Sequence, residues 1–492
     1  MRLRQFPDEK EFANLARTSN VIPVCREILA DMETPVTIMR KIYRDAGPVF
    51  LLESMEGGER WGRYSFLGAS SSCQVRVFRR HVEVDRNGST EKIAHEGDPL
   101  GFLRKFMSAY RPAVMTELPR FWGGLVGYLT YEMVSFFEEI PNRLPDEEPL
   151  AQFMIPDDVL IFDNIANTLV LVAITCLDEH PDPAAAYRMA ITRIEALAER
   201  IARPATDQER PAAKKGCRLT ARQEPEAFRR QVEKVKDHIQ AGDIIQAVIS
   251  QPFSGTPAPD LLTLYRAQRY INPSPYLFFV HLGGTALIGS SPETMVRLEN
   301  RVATLRPIAG TRPRGRTEQE DRALADELLK DEKERAEHLM LVDLGRNDLG
   351  RVAETGSVQV TDLMVVERYS HVMHLVSNIC CDLQDGSDAW DLVRAAFPTG
   401  TLSGAPKVRA MEIIAAMEDK PRGPYGGGVG YVSFSGNLDM AITIRTACIT
   451  GGNLTVRAGA GIVADSDPEC ERVETINKAM AIQKALELLD NN

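Results

Sequence analysis

Toward the end of the chain three strand-like runs, at 428–434, 440–449 and 454–460, follow one another with only short turns between them, and a helix begins only afterwards, near Pro468. A doubly wound sheet places a helix between successive strands. Elements grouped in this way instead predict an α+β fold, mainly antiparallel sheets packed with helices. The grouping recurs earlier: runs at 276–282 and 285–289 stand side by side, and one long helical stretch then covers 318–343.

With 492 residues the chain exceeds the roughly 250 to 300 residues at which a single hydrophobic core stops growing, so two parts are expected. The dividing line falls at 201–222, where Pro204, Pro211, Gly216 and a cluster of polar residues read as an exposed connector. Residues 1–200 before it carry strand-like alternation at 72–78 and 168–175 and a helical period at 184–201. Residues 223–492 after it open on a helix at 225–241.

A formal net charge of -11 repels phosphate backbones and acidic membrane surfaces, which argues against nucleic acid and membrane partners. An anionic substrate then requires locally placed arginine or lysine. No apolar run approaches the ~20 residues of a membrane span, and the polar start lacks a signal-peptide core, so a cytoplasmic location is expected. The cysteines show no zinc spacing and read as reduced thiols. A Gly-x-Cys-x-Gly nucleophile elbow is missing, so the chain shows no sign of releasing ammonia from glutamine by itself.

Glu334 with Glu337, and Glu471 with Glu474, form two pairs spaced three apart, which puts each pair on one helical face. Four carboxylates converging from two helices would offer hard oxygen ligands suited to Mg2+, whereas the plain alternative is two solvated faces. Glycines cluster at 400–404, 426–428 and 459–461, where backbone N–H groups can approach a ligand or simply turn. None has the context of a dinucleotide or P-loop fingerprint. In the run 441–445 alternation places Thr443 and Arg445 on the same side of a strand, with Arg445 either in a structural ion pair or a bidentate carboxylate clamp. His374 has the intrinsic pKa of a proton-transfer group or serves as a packed histidine.

Four longer segments, PIAGTRPRG at 307–315, EHLMLVDLGRND at 337–348, GTLSGAPK at 400–407 and GAGIV at 459–463, together resemble the chorismate-utilising enzymes, and the likeness spans the chain after the connector. It is nearest to the branch that forms anthranilate, the first step toward tryptophan. The resemblance implies that Glu337 and Glu474 ligate Mg2+, with Glu334 and Glu471 nearby. It implies further that Gly310, Thr311, Tyr425, Arg445 and the backbone of Gly459, Ala460 and Gly461 hold chorismate. Glu293 matches the family's acid for the departing hydroxyl, and His374 and Thr401 match residues lining the reacting ring. The segments at 51–54 and 62–66 are similar to the family's regulatory region, which makes 1–200 the regulatory part and 223–492 the catalytic part. Ser54, Pro275, Tyr276 and Leu277 are then the expected site for inhibitory tryptophan. A glutamine amidotransferase subunit is the implied partner. The nearest rival is aminodeoxychorismate synthase, in which a lysine usually occupies the position of Ala309. Isochorismate and salicylate synthases have a lysine where this chain has Gln246.

Overall fold

The computed structural model describes residues 1–43, 47–54, 62–179, 182–204, 216–369 and 372–490. Most of the expected connector, 205–215, and the pair Ser370 and His371 lie outside the described residues.

Two large sheets organise the molecule, one of thirteen strands and one of twelve, and their strands pair antiparallel. In the first sheet Val21–Leu29, Thr168–Cys176, Asp158–Asp163, Tyr64–Gly68 and Val49–Glu53 run on through Tyr276–Leu282, Thr285–Ser291, Thr446–Thr450, Asn453–Ile462 and Gln246–Gly255. The second continues from Cys73–Val77, Ala151–Ile155 and Gly124–Leu129 through Gly428–Ser433, Leu438–Ile442, Thr294–Glu299, Val302–Leu305 and Val372–Asp382 to Ile308–Pro313. Each sheet therefore joins strands from both sides of the connector, with seams at Leu52 against Phe278 and Val126 against Tyr431. Residues 1–200 and 223–492 are successive in sequence but share both sheets.

Alternation explains which faces meet. Cys73–Val77 buries every second residue, and inward-facing Phe50, Phe66, Phe121, Phe153, Phe278 and Tyr431 fill the space between the sheets. Ring centroids of Phe121 and Tyr431 lie 4.3 Å apart, and those of Phe66 and Phe121 lie 5.2 Å apart nearly edge-on, the packing aromatic quadrupoles favour. On the outer face of the first sheet the helix Pro183–Ala202 buries Ala186, Ala190 and Ile194, and the C-terminal helix Pro468–Asp490 buries Ile482, Ala485 and Leu486. No described helix is long and apolar enough to cross a membrane. All eight cysteines are free.

Two expected elements divide. The helical stretch at 318–343 is two helices, Glu318–Lys330 and Glu332–Gly350, because Asp331 ends the first and caps the second by accepting the N–H groups of Lys333 and Glu334. The run 440–449 is two strands in different sheets: Leu438–Ile442 belongs to the second and Thr446–Thr450 to the first. Arg445 lies between them with φ at 49°, so the expected strand alternation of Thr443 and Arg445 does not hold.

Candidate active site

The crossing that removes Arg445 from a strand also builds the site. A second chain segment changes sheets beside it, from Thr285–Ser291 to Thr294–Glu299, with Glu293 at the crossing point. Strand pairing continues on both sides of this double crossing, and the crossing segments are tied by Ile442 N–H donating to the Glu293 carbonyl at 3.1 Å and Ser290 N–H donating to that of Arg445 at 3.3 Å. Two loosely spaced sequence positions, an acid and a cation, are thereby fixed side by side between the sheets.

Glu293 is 8% exposed. Burial raises its carboxyl pKa to about 8 even though the Thr401 hydroxyl shares a hydrogen bond with it and Arg445 and Lys478 lend positive charge. The acid accordingly keeps its proton near neutral pH. Burial lowers the pKa of the Arg445 guanidinium, opposed by Glu293, and among the described residues Arg445 forms no salt bridge. A desolvated guanidinium without an ion-pair partner is poised to take a carboxylate from a ligand.

His374 forms the opposite wall from the strand Val372–Asp382. Its Nδ1 lies 2.9 Å from the Gly310 carbonyl, which can only accept, so Nδ1 carries the proton and Nε2 is left with its lone pair. Nδ1 is also 3.1 Å from the Thr311 hydroxyl. Burial lowers the imidazole pKa, with Arg445 acting in the same direction, which favours the neutral ring. Gly310 sits at a register shift in Ile308–Pro313 with φ at 65°, and an added Cβ would come within 3.1 Å of Glu334 Oε2. Glycine here permits both the bulge and the close approach to the carboxylate helix.

The remaining wall is the strand Asn453–Ile462, paired to Gln246–Gly255. Gly459 and Gly461 face the site: a Cβ on Gly459 would stand 2.6 Å from the Tyr425 hydroxyl, and one on Gly461 would stand 2.4 Å from Gln246 Nε2. Ala460 points the other way into a separate apolar cluster with Ile249 and Phe228, so only its backbone is available. Lys478, a residue the motif reading passed over, donates to the Gly459 carbonyl at 2.9 Å and to Glu474 at 2.7 Å. Its position four residues beyond Glu474 on one helix face was the available signal.

The two carboxylate pairs stand on the helices Glu332–Gly350 and Pro468–Asp490. Each pair is held together: the charge on Glu337 adds to burial in raising the Glu334 pKa, and that on Glu474 does the same for Glu471. Among the described residues no group of three or more metal-ligating side chains forms. Local partners take up the carboxylates instead: Lys478 pairs with Glu474, the Ser466 hydroxyl donates to Glu471 at 2.6 Å, and Gln246 donates to Glu337 at 3.4 Å. The donor chemistry fits a hard divalent cation, since both pairs offer carboxylate oxygens.

The sequence matches the chorismate binding enzyme family over residues 48–484. The chain belongs to this family. Among curated relatives, anthranilate synthase component 1 of Acetivibrio thermocellus is 44% identical over 98% of each chain. That of Pseudomonas putida is 45% identical over 98% of this chain and 99% of its own. The crystal structure of anthranilate synthase component I from Streptococcus pneumoniae superposes with a TM-score of 0.77 at 34% identity, covering 93% of this chain and 99% of that one.

Leu52, Glu53 and Ser54 together with Pro275, Tyr276 and Leu277 line a mainly apolar cavity between the sheets, closed on the far side by Val429, Gly430 and Asp439. Glu53 is buried, bonded to the Tyr265 hydroxyl and to Arg269 at 3.1 Å. All four residues expected at the inhibitor site thus border one cavity, at the seam where Val49–Glu53 pairs with Tyr276–Leu282.

Proposed function

We propose that this chain is the chorismate-handling subunit of an anthranilate synthase, converting chorismate and ammonia to anthranilate, pyruvate and water. The reading is carried by one observation: a buried, proton-holding Glu293 stands beside Arg445, a guanidinium with no carboxylate partner among the described residues. A small dianion whose hydroxyl must depart needs that combination. The names of relatives that match almost end to end support the same choice of product.

In this mechanism Arg445 takes one carboxylate of chorismate, and the backbone at Gly459 and Gly461, with the Tyr425 hydroxyl beside it, shapes the pocket around the ring. Ammonia adds at ring carbon 2 while the 4-hydroxyl leaves, and Glu293, oriented by Thr401, gives that oxygen a proton so that water departs. Loss of the carbon 2 proton then expels the enolpyruvyl group as pyruvate and makes the ring aromatic. His374, fixed by Gly310 with Nε2 unprotonated, lines the ring during this elimination. Glu337 and Glu474, with Glu334 and Glu471 through water, would hold Mg2+, which when bound neutralises a substrate carboxylate. Ala309 and Gln246 offer no amine, which disfavours the aminodeoxychorismate and isochorismate outcomes.

Two further parts belong to the proposal. A separate glutamine amidotransferase subunit supplies ammonia when glutamine is the nitrogen source. Tryptophan occupies the cavity at Ser54, Pro275, Tyr276 and Leu277 and inhibits the reaction. The deciding experiment is an assay of the purified chain with chorismate, Mg2+ and an ammonium salt, read by anthranilate fluorescence. Formation of isochorismate or aminodeoxychorismate in place of anthranilate, or no turnover, would overturn the reading.

A further inference from the structure

Arg422 stands outside the pocket yet is connected to three of its walls. It is 5% exposed and lies in the loop after the helix Lys407–Met417. Its guanidinium pairs with Glu418 through Nε at 2.9 Å and Nη2 at 2.7 Å. Nη1 donates to the Leu402 carbonyl at 2.7 Å, and Nη2 donates to the Val248 carbonyl at 2.7 Å. The guanidinium carbon lies 5.8 Å from the Tyr425 ring centroid and 4.5 Å from that of Tyr131.

Three of these contacts end beside a pocket residue. Leu402 follows Thr401, the partner of Glu293. Val248 pairs across the sheet with Gly461 and is two residues from Gln246. Tyr425 reaches toward Gly459. The loop that carries Arg422 is itself clamped by Glu132, whose carboxylate accepts the backbone N–H of Arg422 at 2.6 Å and of Gly423 at 3.0 Å. Arg457 completes the cluster by donating to Glu418 at 2.8 Å and to the Pro421 carbonyl at 2.8 Å. The two guanidiniums thus share the buried Glu418 carboxylate, while Glu132 holds the loop through its backbone.

We infer that Arg422 is a positioning residue for the chorismate pocket, holding the Thr401 turn, the Gln246–Gly255 strand and the Tyr425 ring in one register. The inference rests on the proposed chorismate reading. It depends on the planar fork of arginine, because one group must reach a carboxylate and two backbone carbonyls in different directions while facing an aromatic ring. A lysine ammonium can replace the charge opposite Glu418 but cannot span those acceptors, and the Leu402 and Val248 carbonyls would lose their donor.

Steady-state kinetics of the full chain with chorismate, Mg2+ and ammonium test this through a double-mutant cycle. Arg422→Lys should raise the KM for chorismate by about tenfold or more and lower kcat/KM about 30-fold while the variant keeps a cooperative thermal transition. In a Thr401→Val background the same change should cost less, about tenfold, because one of the three contacts through which Arg422 acts no longer reaches Glu293. Should Arg422→Lys fail to fold, Glu418→Asp, which draws the guanidinium back by one methylene, should show the same KM-weighted loss at smaller size. Equal losses in both backgrounds with KM unchanged, or a folded Glu418→Asp enzyme with wild-type KM, would overturn the inference. Absence of anthranilate from the wild-type chain would instead remove the functional reading beneath it.

Discussion

The Tyr276 hydroxyl stands 3.0 Å from that of Thr294, the residue that follows Glu293. The same hydroxyl donates to Asp439 at 2.8 Å, and Asp439 also accepts from Arg120 at 3.1 Å. A side chain lining the proposed tryptophan cavity is therefore one hydrogen bond from the segment that carries Glu293, the proposed acid. For an inhibitor to act, it must favour one arrangement of such a contact over another, with coupling typically of about 1 to 3 kcal/mol.

Tyr276→Phe keeps the ring in the cavity wall but removes both hydrogen bonds. The expected result is tryptophan binding within a few-fold of wild type, measured by calorimetry, with inhibition weakened about tenfold or more. Ser54→Phe fills the cavity and should weaken binding and inhibition together, more than it weakens turnover. Equal losses of turnover and inhibition in both variants would assign these residues a structural role.

Chelation tests the carboxylate pairs. Excess chelator should abolish activity, and Glu337→Ala or Glu474→Ala should lower kcat/KM by about 100-fold or more while thermal unfolding shifts little, since these side chains are not in the cores. Full activity in excess chelator would exclude the metal reading.

The pH dependence of the free enzyme follows from Glu293. Its pKa, raised to about 8, means that the acid form is depleted as pH rises through that value, so kcat/KM should fall roughly tenfold per unit well above pH 8. The stability linkage has the opposite consequence for Glu293→Gln. A carboxyl whose folded pKa lies above its unfolded one destabilises the fold increasingly as pH rises from the ordinary carboxylate range to about 8, a cost that an uncharged amide avoids. Glu293→Gln should thus lose activity yet melt higher than wild type at pH 9, by an amount that shrinks toward pH 5. A wild-type alkaline limb or a lower melting point at pH 9 would contradict the buried-acid assignment.

Much of this is legible in the sequence. The strand at 276–282 and the helix starting at Pro468 are where period and capping place them, because local patterning and burial agree there. What sequence period misses is the exchange between sheets. The run 440–449 reads as one strand because both of its halves are apolar, and only the tertiary crossing at Arg445 shows that they serve different sheets. The same holds for residues 1–200 and 223–492: a polar connector marks a break in the chain, but it carries no information on which strands pair across it. Lys478 and Arg422 each have a carboxylate four residues away as a sequence signal, but the backbone carbonyls that tie them to the site leave no motif.

The nitrogen source gives a further test. Without a glutaminase nucleophile, the chain alone should use ammonium and give no measurable anthranilate from glutamine until an amidotransferase subunit is added. Comparable rates from both sources with the purified chain would exclude a two-subunit enzyme.

Ala309 decides between the proposed product and its nearest rival. It lies half-buried beside the register shift at Gly310, opposite Leu375 on the strand that also carries His374. Its methyl group provides no nucleophile, so the ring must be attacked by an amine that arrives from outside, and ammonia meets that requirement. A lysine introduced there would be half-buried, and burial would push its pKa down and free its amine for attack. Ala309→Lys should therefore depress anthranilate formation from ammonium and yield a covalent adduct in which the lysine amine replaces the chorismate hydroxyl, seen by mass spectrometry as chorismate added and water lost. The role of Ala309 as a mere space-keeper for the Gly310 bend predicts a different pattern: lower stability, no adduct, and loss of activity in proportion to folded protein. Wild-type rates without an adduct would remove Ala309 as the determinant of product and reopen the choice between the two enzymes.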